Sequence, residues 1–235
     1  MIPKTIHLCW FSNEPYPVEI KACINSWKRI LPDFTIKRWS YEDAKAIGCD
    51  FINEALEKKK WAFAADVVRF YAVYKEGGIY MDSDILVKRR FDELLDKSSF
   101  FTFHENDGKP TFGLQAAFFG GTAGNAFCRD VYGYYASHHF TNADGTLNET
   151  ISPYVMQHIG ESYGYRMEDS LQELDGIIIY PTHFLAPNNH YSIDKETIGI
   201  HRIYGSWRKR KFGRKLELRI KHICNIIKYT FTHTC

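Results

Sequence analysis

The sequence predicts an α/β fold with a mostly parallel central sheet flanked by helices. Short apolar runs that read as strands alternate with longer runs of helical periodicity. Residues 60–76, "KWAFAADVVRFYAVYKE", are apolar around most of a helical circumference, the mark of a helix covered on more than one side. The 235 residues, 45% hydrophobic and 25% charged, fit one large domain or one domain with a small appendage.

The elements follow in order. "KTIHLCWF" (4–11) reads as a buried first strand ending near Trp10 and Phe11, before a loop with Pro15 and Pro17. Val18, Ala22, Ile24, Trp27 and Ile30 recur at helical spacing, so a helix covers 18–30 and Pro32 stops it. "FTIKRWS" (34–40) alternates as a second strand, and "SYED" (40–43) resembles an N-cap followed by first-turn acids. Helical segments follow at 41–47 and 50–59, then the apolar helix, which Gly77-Gly78 ends. Further strands are expected at 99–104, 115–119 and 176–180, with helices at 124–137 and near 152–161. There is no internal repeat or low-complexity linker.

The chemistry concentrates in "KEGGIYMDSDILV" (75–87), a short apolar strand entered through two glycines and leaving through Asp82-Ser83-Asp84. Acids are poor strand formers and need solvent or a positive partner. Read as one continuous strand, the stretch turns Tyr80, Asp82 and Asp84 to one face and Ile79, Met81, Ser83 and Ile85 to the other. The carboxylates would then stand about 7 Å apart, a gap one cation bridges. Ligands collect at the carboxyl ends of strands in open α/β sheets, and paired carboxylates there suit a hard divalent ion that shares its shell with phosphates. A lone D-x-D is more often a solvated turn. Its position behind Gly-Gly and a buried helix carrying Asp66 and Arg69, three apart on one face, raises the functional reading.

Four blocks in order, "IPKTIHLCWF", "SWKRILPDFTIKRWS" (26–40), "FAADVVRFYAVYKEGGIYMDSDI" (63–85) and "GIHRIYGSW" (199–207), resemble glycosyltransferase family 32. That family includes capsular polysaccharide transferases and yeast initiating mannosyltransferases, and is similar to the catalytic domains of clostridial glucosylating toxins. The resemblance implies a GT-A-type nucleotide-sugar-binding fold over 1–207, with Mn²⁺ or Mg²⁺ held at the D-x-D against the donor diphosphate. It places Trp10 on the nucleotide base, Asp66 and Arg69 on the donor sugar, and Tyr80 and Asp82 on the ribose and metal side. Asp84 becomes a metal ligand, and His201, Ser206 and Trp207 close over the diphosphate, with His201 or Ser206 as a further metal contact. Gln115 stands where many relatives carry Asn, and Ile151-Ser152-Pro153 where they carry Thr-Gly-Pro, so acceptor-side residues do not transfer.

The implied activity is retaining transfer of a sugar, UDP-linked by default, to a glycan or lipid-linked glycan in capsule, exopolysaccharide or lipopolysaccharide synthesis. Two alternatives fit the D-x-D: a metal-dependent phosphohydrolase, and a binding module without catalysis. Leu86 stands where the phosphohydrolase site usually has Thr or Val. Residues 208–235 read as a basic amphipathic tail helix, with Phe212, Leu216, Ile220, Ile223 and Ile227 on one stripe. Residues 207–235 carry a net charge of +8, against −6 for residues 1–206. The tail suits an anionic membrane surface, and the acidic body argues against nucleic acid. Six cysteines without metal or disulfide spacing, and an N-terminus too polar for a signal peptide, place the chain in the cytoplasm, peripherally attached to the inner face of the membrane.

Overall fold

The computed structural model describes residues 1–106, 112–187 and 193–202. The chain divides into two compact units, Met1–Ile203 and Tyr204–Cys235. The second, with the expected tail helix, lies outside the described residues.

The first unit follows the expected alternation closely at its start. β1 (Thr5–Cys9) leads to α1 (Val18–Ile30), then β2 (Thr35–Trp39), which pairs parallel with β1 from Thr5↔Thr35 to Cys9↔Trp39. Ser40 caps α2 (Tyr41–Lys45) in a capping box with Asp43, two backbone donors being satisfied reciprocally. α3 (Asp50–Glu57) and α4 (Trp61–Glu76) precede β3 (Gly78–Met81), which returns parallel to β1.

Gly77 and Gly78 make that return possible. Gly77, at φ +67°, ends α4, its N–H donating to Val73 O. Gly78, at φ +108°, lies so close to β1 that an added Cβ would stand 2.5 Å from the Thr5 carbonyl oxygen. Only glycine combines that dihedral with that approach.

The D-x-D overturns the single-strand reading. β3 ends at Met81, residues 83–84 form a turn closed by Ile85 N–H to Asp82 O (3.0 Å), and β4 (Ile85–Val87) belongs to a different sheet. Period-two alternation therefore stops at Asp82, and the two carboxylates are gathered by a turn rather than spaced along a strand.

The main sheet is mixed rather than mostly parallel. β5 (Phe100–Asn106), β6 (Phe112–Leu114), β7 (Phe118–Gly121), β8 (Gln172–Leu174) and β9 (Ile177–Tyr180) complete the order β2-β1-β3-β7-β5-β9-β8, with β6 beside β5. β7 runs antiparallel to both β3 and β5. The reason is the connection: among the described residues no α-helix intervenes between β3 and β7, and parallel neighbours need a long crossover. The strand expected at 115–119 is shifted to 118–121, because Gln115–Ala117 are taken up in an irregular link. α5 (Ala126–Ala136) and α6 (Ser152–Ser162) follow near their expected positions.

Alternation along the strands divides the core between the two faces of the sheet. Tyr80, Phe100, Phe119, Ile177 and Ile179 face the helical layer of α3 to α6. Ile79, Met81, Phe101, Phe118 and Ile178 face α1 and a second sheet. That sheet, order β10-β11-β4, consists of β10 (Leu185–Pro187), β11 (Gly199–His201) and β4. α1 locks it in place: Trp27 Nε1–H donates to Ile85 O at 2.7 Å, and Val87 N–H to Ser26 Oγ at 3.0 Å. This sheet was invisible to pattern reading because its strands have three residues each.

His7 ties β1 to its surroundings. Trp39 Nε1–H donates to its Nδ1 at 3.1 Å, so Nε2 carries the proton and donates to Gly77 O at 2.8 Å. Burial holds its pKa below the ordinary 6.5, outweighing the Gly77 hydrogen bond and Glu76. The unfolded chain therefore takes up the proton first. This contribution to stability is complete above pH 6.5 and declines as pH falls through it toward the folded pKa. Urea denaturation between pH 7.5 and 5 should show the loss, and His7→Gln, which keeps a donor and an acceptor, should flatten it while lowering stability at pH 7.5 by about 1–2 kcal/mol.

Candidate active site

The site grows from α4, where Asp66 and Arg69 share one face and are both buried. Arg69 makes four contacts in different directions. Its Nε donates to Ala65 O at 3.1 Å and its Nη1 to Ala116 O at 2.8 Å. Its Nη2 lies 2.9 Å from Asp66 Oδ1 and 3.5 Å from Asp82 Oδ1. The guanidinium also covers the Tyr80 ring, 4.7 Å from its centroid.

Each neighbour is fixed in turn. The Tyr80 hydroxyl donates to Asp82 Oδ1 at 2.7 Å, so both Asp82 contacts fall on the same oxygen and Oδ2 is left for an external ligand. Asp66 receives Ser152 N–H on Oδ2 (3.1 Å) and Ser152 Oγ–H on Oδ1 (2.7 Å), at the first residue of α6. A carboxylate at a helix N-terminus meets unpaired N–H groups and the positive end of the dipole.

The electrostatics follow from burial. Desolvation opposes the Arg69 charge, but Asp82, Tyr80 and Asp66 together hold its pKa above the ordinary value. Burial raises the Asp66 carboxyl, against the pull of Arg69 and Ser152. Cys9, at the end of β1, is pushed up to about 12 by burial and stays a neutral thiol beside the charges.

The second cluster is Asp82, Asp84 and His201, each offering a ligand atom, all within 4.8 Å of one another. His201 arrives through the small sheet: β11 pairs antiparallel with β4, opposing His201 to Ile85, and Arg202 N–H donates to Asp84 O at 3.1 Å. His201 Nε2 then stands 3.5 Å from Asp84 Oδ1. Two carboxylates and an imidazole form a donor set that fits a divalent cation. The separation inferred along a strand was too large because the turn folds Asp84 back.

Trp10 follows β1, half-buried, its ring edge-on to Tyr16 at 4.8 Å and its Nε1–H donating to Glu14 O at 2.9 Å. Gln115 does not project from the sheet but is buried, its Oε1 accepting from Ala117 N–H, while the Ala117 carbonyl accepts from Asp82 N–H at 2.8 Å. It braces the D-x-D from behind. Tyr80 is similarly buried and is joined to Asp82. Ser206 and Trp207 lie outside the described residues. Ser152 is the residue that sequence reading missed. Its signal was a serine followed by proline at a helix start, a capping pattern that gives no hint of a partner 86 positions away.

Removing Arg69 would leave Asp66 buried and uncompensated. Arg69→Ala should lower unfolding free energy by about 3–5 kcal/mol, read by urea denaturation, rather than act on turnover alone.

Residues 17–101 match the family described as glycosyltransferase sugar-binding region containing DXD motif. Inositol phosphoceramide mannosyltransferase 3 of Schizosaccharomyces pombe is 34% identical over 101 residues, 40% of this chain and 27% of that protein. An uncharacterized glycosyltransferase, L373, of Acanthamoeba polyphaga mimivirus is 23% identical over 216 residues, 88% of this chain and 84% of that protein. The chain thus matches only about a quarter to a third of the length of the fission-yeast relatives. The solved PaToxG glycosyltransferase superposes with a TM-score of 0.56 at 17% identity, covering 68% of this chain and 69% of that one. Residues 17–101 are thus similar to the DXD-containing glycosyltransferase sugar-binding region, and the chain has an α/β fold of the GT-A glycosyltransferase type.

Proposed function

We propose that this protein is a metal-dependent glycosyltransferase that moves a sugar from a nucleotide donor to a glycan or lipid-linked glycan. The observation that carries this is the adjacency of two sets sharing Asp82: a cation-binding triad, and a buried Asp66–Arg69–Tyr80 network. Asp82, Asp84 and His201 would hold a divalent ion, Mn²⁺ or Mg²⁺, which when bound would supply Lewis-acid neutralisation of charge on the diphosphate. The chain's own residues do the rest. Trp10 offers an aromatic face for the base. The network on α4 holds Asp82 in one orientation, so the donor meets a preorganised carboxylate. Asp66 and Arg69 border the place for the donor sugar and fix α6 beside it.

The reaction we favour retains the anomeric configuration, with the acceptor attacking on the side of the leaving phosphate, which takes the acceptor proton. No second carboxylate in the cluster stands free of the triad and the Arg69 network to serve as nucleophile, among the described residues. UDP-sugars are the first donors to test. The mannosyltransferase name of the fission-yeast relatives puts mannosyl donors beside them, and their inositol phosphoceramide supports a lipid-borne acceptor. Work at a cytoplasmic membrane face, in capsule or lipopolysaccharide assembly, would suit the basic tail. No helix among the described residues is long and apolar enough to cross a membrane.

Release of nucleoside diphosphate from nucleotide sugars, with Mn²⁺ and with or without acceptor, tests the reading. No release from uridine- or guanosine-linked donors, alongside phosphate release from simple monoesters, would decide for a phosphohydrolase. Asp84→Asn should reduce transfer below about a tenth of wild type at unchanged melting temperature, since it removes a ligand and not a core contact. Trp10→Ala should raise KM for the donor by the equivalent of about 1–3 kcal/mol of stacking while leaving melting of the free protein nearly unchanged.

A further inference from the structure

Arg202 is the residue the site leaves unexplained. It follows His201 directly, and its backbone N–H is bonded to the Asp84 carbonyl, so it is fixed against the D-x-D turn. The residue is only 7% exposed, yet Nε and Nη1 have no hydrogen-bond partner among the described residues. Guanidinium donors taken out of water and left unpaired are strongly unfavourable, and arginine does not escape by losing its proton. The backbone bond of 3.1 Å to Asp84 O keeps Arg202 next to the D-x-D turn, and both residues lie within electrostatic reach of the buried Cys23 thiol on α1. Beside that turn the triad attracts a cation and Arg202 attracts an anion. One ligand satisfying both is a diphosphate, whose oxygens can meet a divalent ion and a planar fork of N–H donors together.

We propose that Arg202 binds the diphosphate of the nucleotide donor and stabilises the charge that builds on it as the sugar departs. This rests on the reading of the site as a donor site. The role falls to arginine because the partner is absent until the donor arrives: a lysine in this position could give up its proton when buried, whereas the guanidinium stays charged and waiting.

Isothermal titration of the full chain in Mn²⁺ with UDP, GDP, UMP, GMP and inorganic pyrophosphate tests the proposal. Arg202→Met should weaken binding of whichever nucleoside diphosphate the wild type prefers by about tenfold or more, and of its monophosphate by less. Arg202→Lys should recover part of the difference. Melting of the free Met variant should be unchanged or raised, because an unpaired buried charge has been removed. Equal diphosphate affinity in wild type and Arg202→Met would overturn the proposal. So would equal weakening of di- and monophosphate together with a lowered melting temperature, the pattern of a structural arginine. A wild-type protein that binds none of the five probes would instead overturn the donor-site reading itself.

Discussion

The buried charge of Arg69 is the constraint around which the rest is arranged. A guanidinium inside a helical layer needs its donors met, and here they are met by Ala65 and Ala116 carbonyls and by Asp66 and Asp82. Two of these lie on α4 itself and two reach beyond it. Ala116 lies in the link before β7, Asp82 at the end of β3, and Asp66 passes the connection on to the start of α6 through Ser152. One side chain thereby fixes the relative position of α4, α6 and the two central strands. The antiparallel pairing of β7 with β3 adds a backbone bond here, Asp82 N–H to Ala117 O.

The D-x-D turn is held from three sides by backbone hydrogen bonds, in addition to the contacts of its carboxylates. Ala117 receives Asp82 N–H, α1 receives β4 through Trp27 and Ser26, and β11 pairs along the other edge of β4. Backbone bonds therefore fix the path of the turn that brings the two acidic side chains together. Gln115 and Tyr80 add to this support, Gln115 through Ala117 and Tyr80 through the Asp82 carboxylate.

Much of this was legible in the sequence where periodicity is long. α1 was read with its observed bounds, and α4 within one residue, because thirteen and sixteen residues of pattern leave little ambiguity. Asp66 and Arg69 were found from their spacing on one helix face. Gly77-Gly78 was read correctly as the break after α4, although the close approach to Thr5 that enforces Gly78 is a property of the neighbouring strand. What failed was short or non-local. Three-residue strands carry no usable alternation, so the second sheet and the turn inside the D-x-D were missed. Ser152 and Arg202 take their meaning from partners far away in the chain, and a local pattern cannot announce them.

The position of β11 has a consequence for the order in which the molecule comes into being. Asp82 and Asp84 emerge before the rest of the cluster, and Asp82 takes its contacts from Tyr80, Arg69 and Ala117. His201 emerges more than one hundred residues later, and reaches Asp84 only once β11 has zipped against the edge of β4. Without that pairing the two acids have no imidazole beside them. The cluster of Asp82, Asp84 and His201 is thus a product of long-range strand pairing: it exists only where two parts of the chain more than one hundred residues apart have closed on each other.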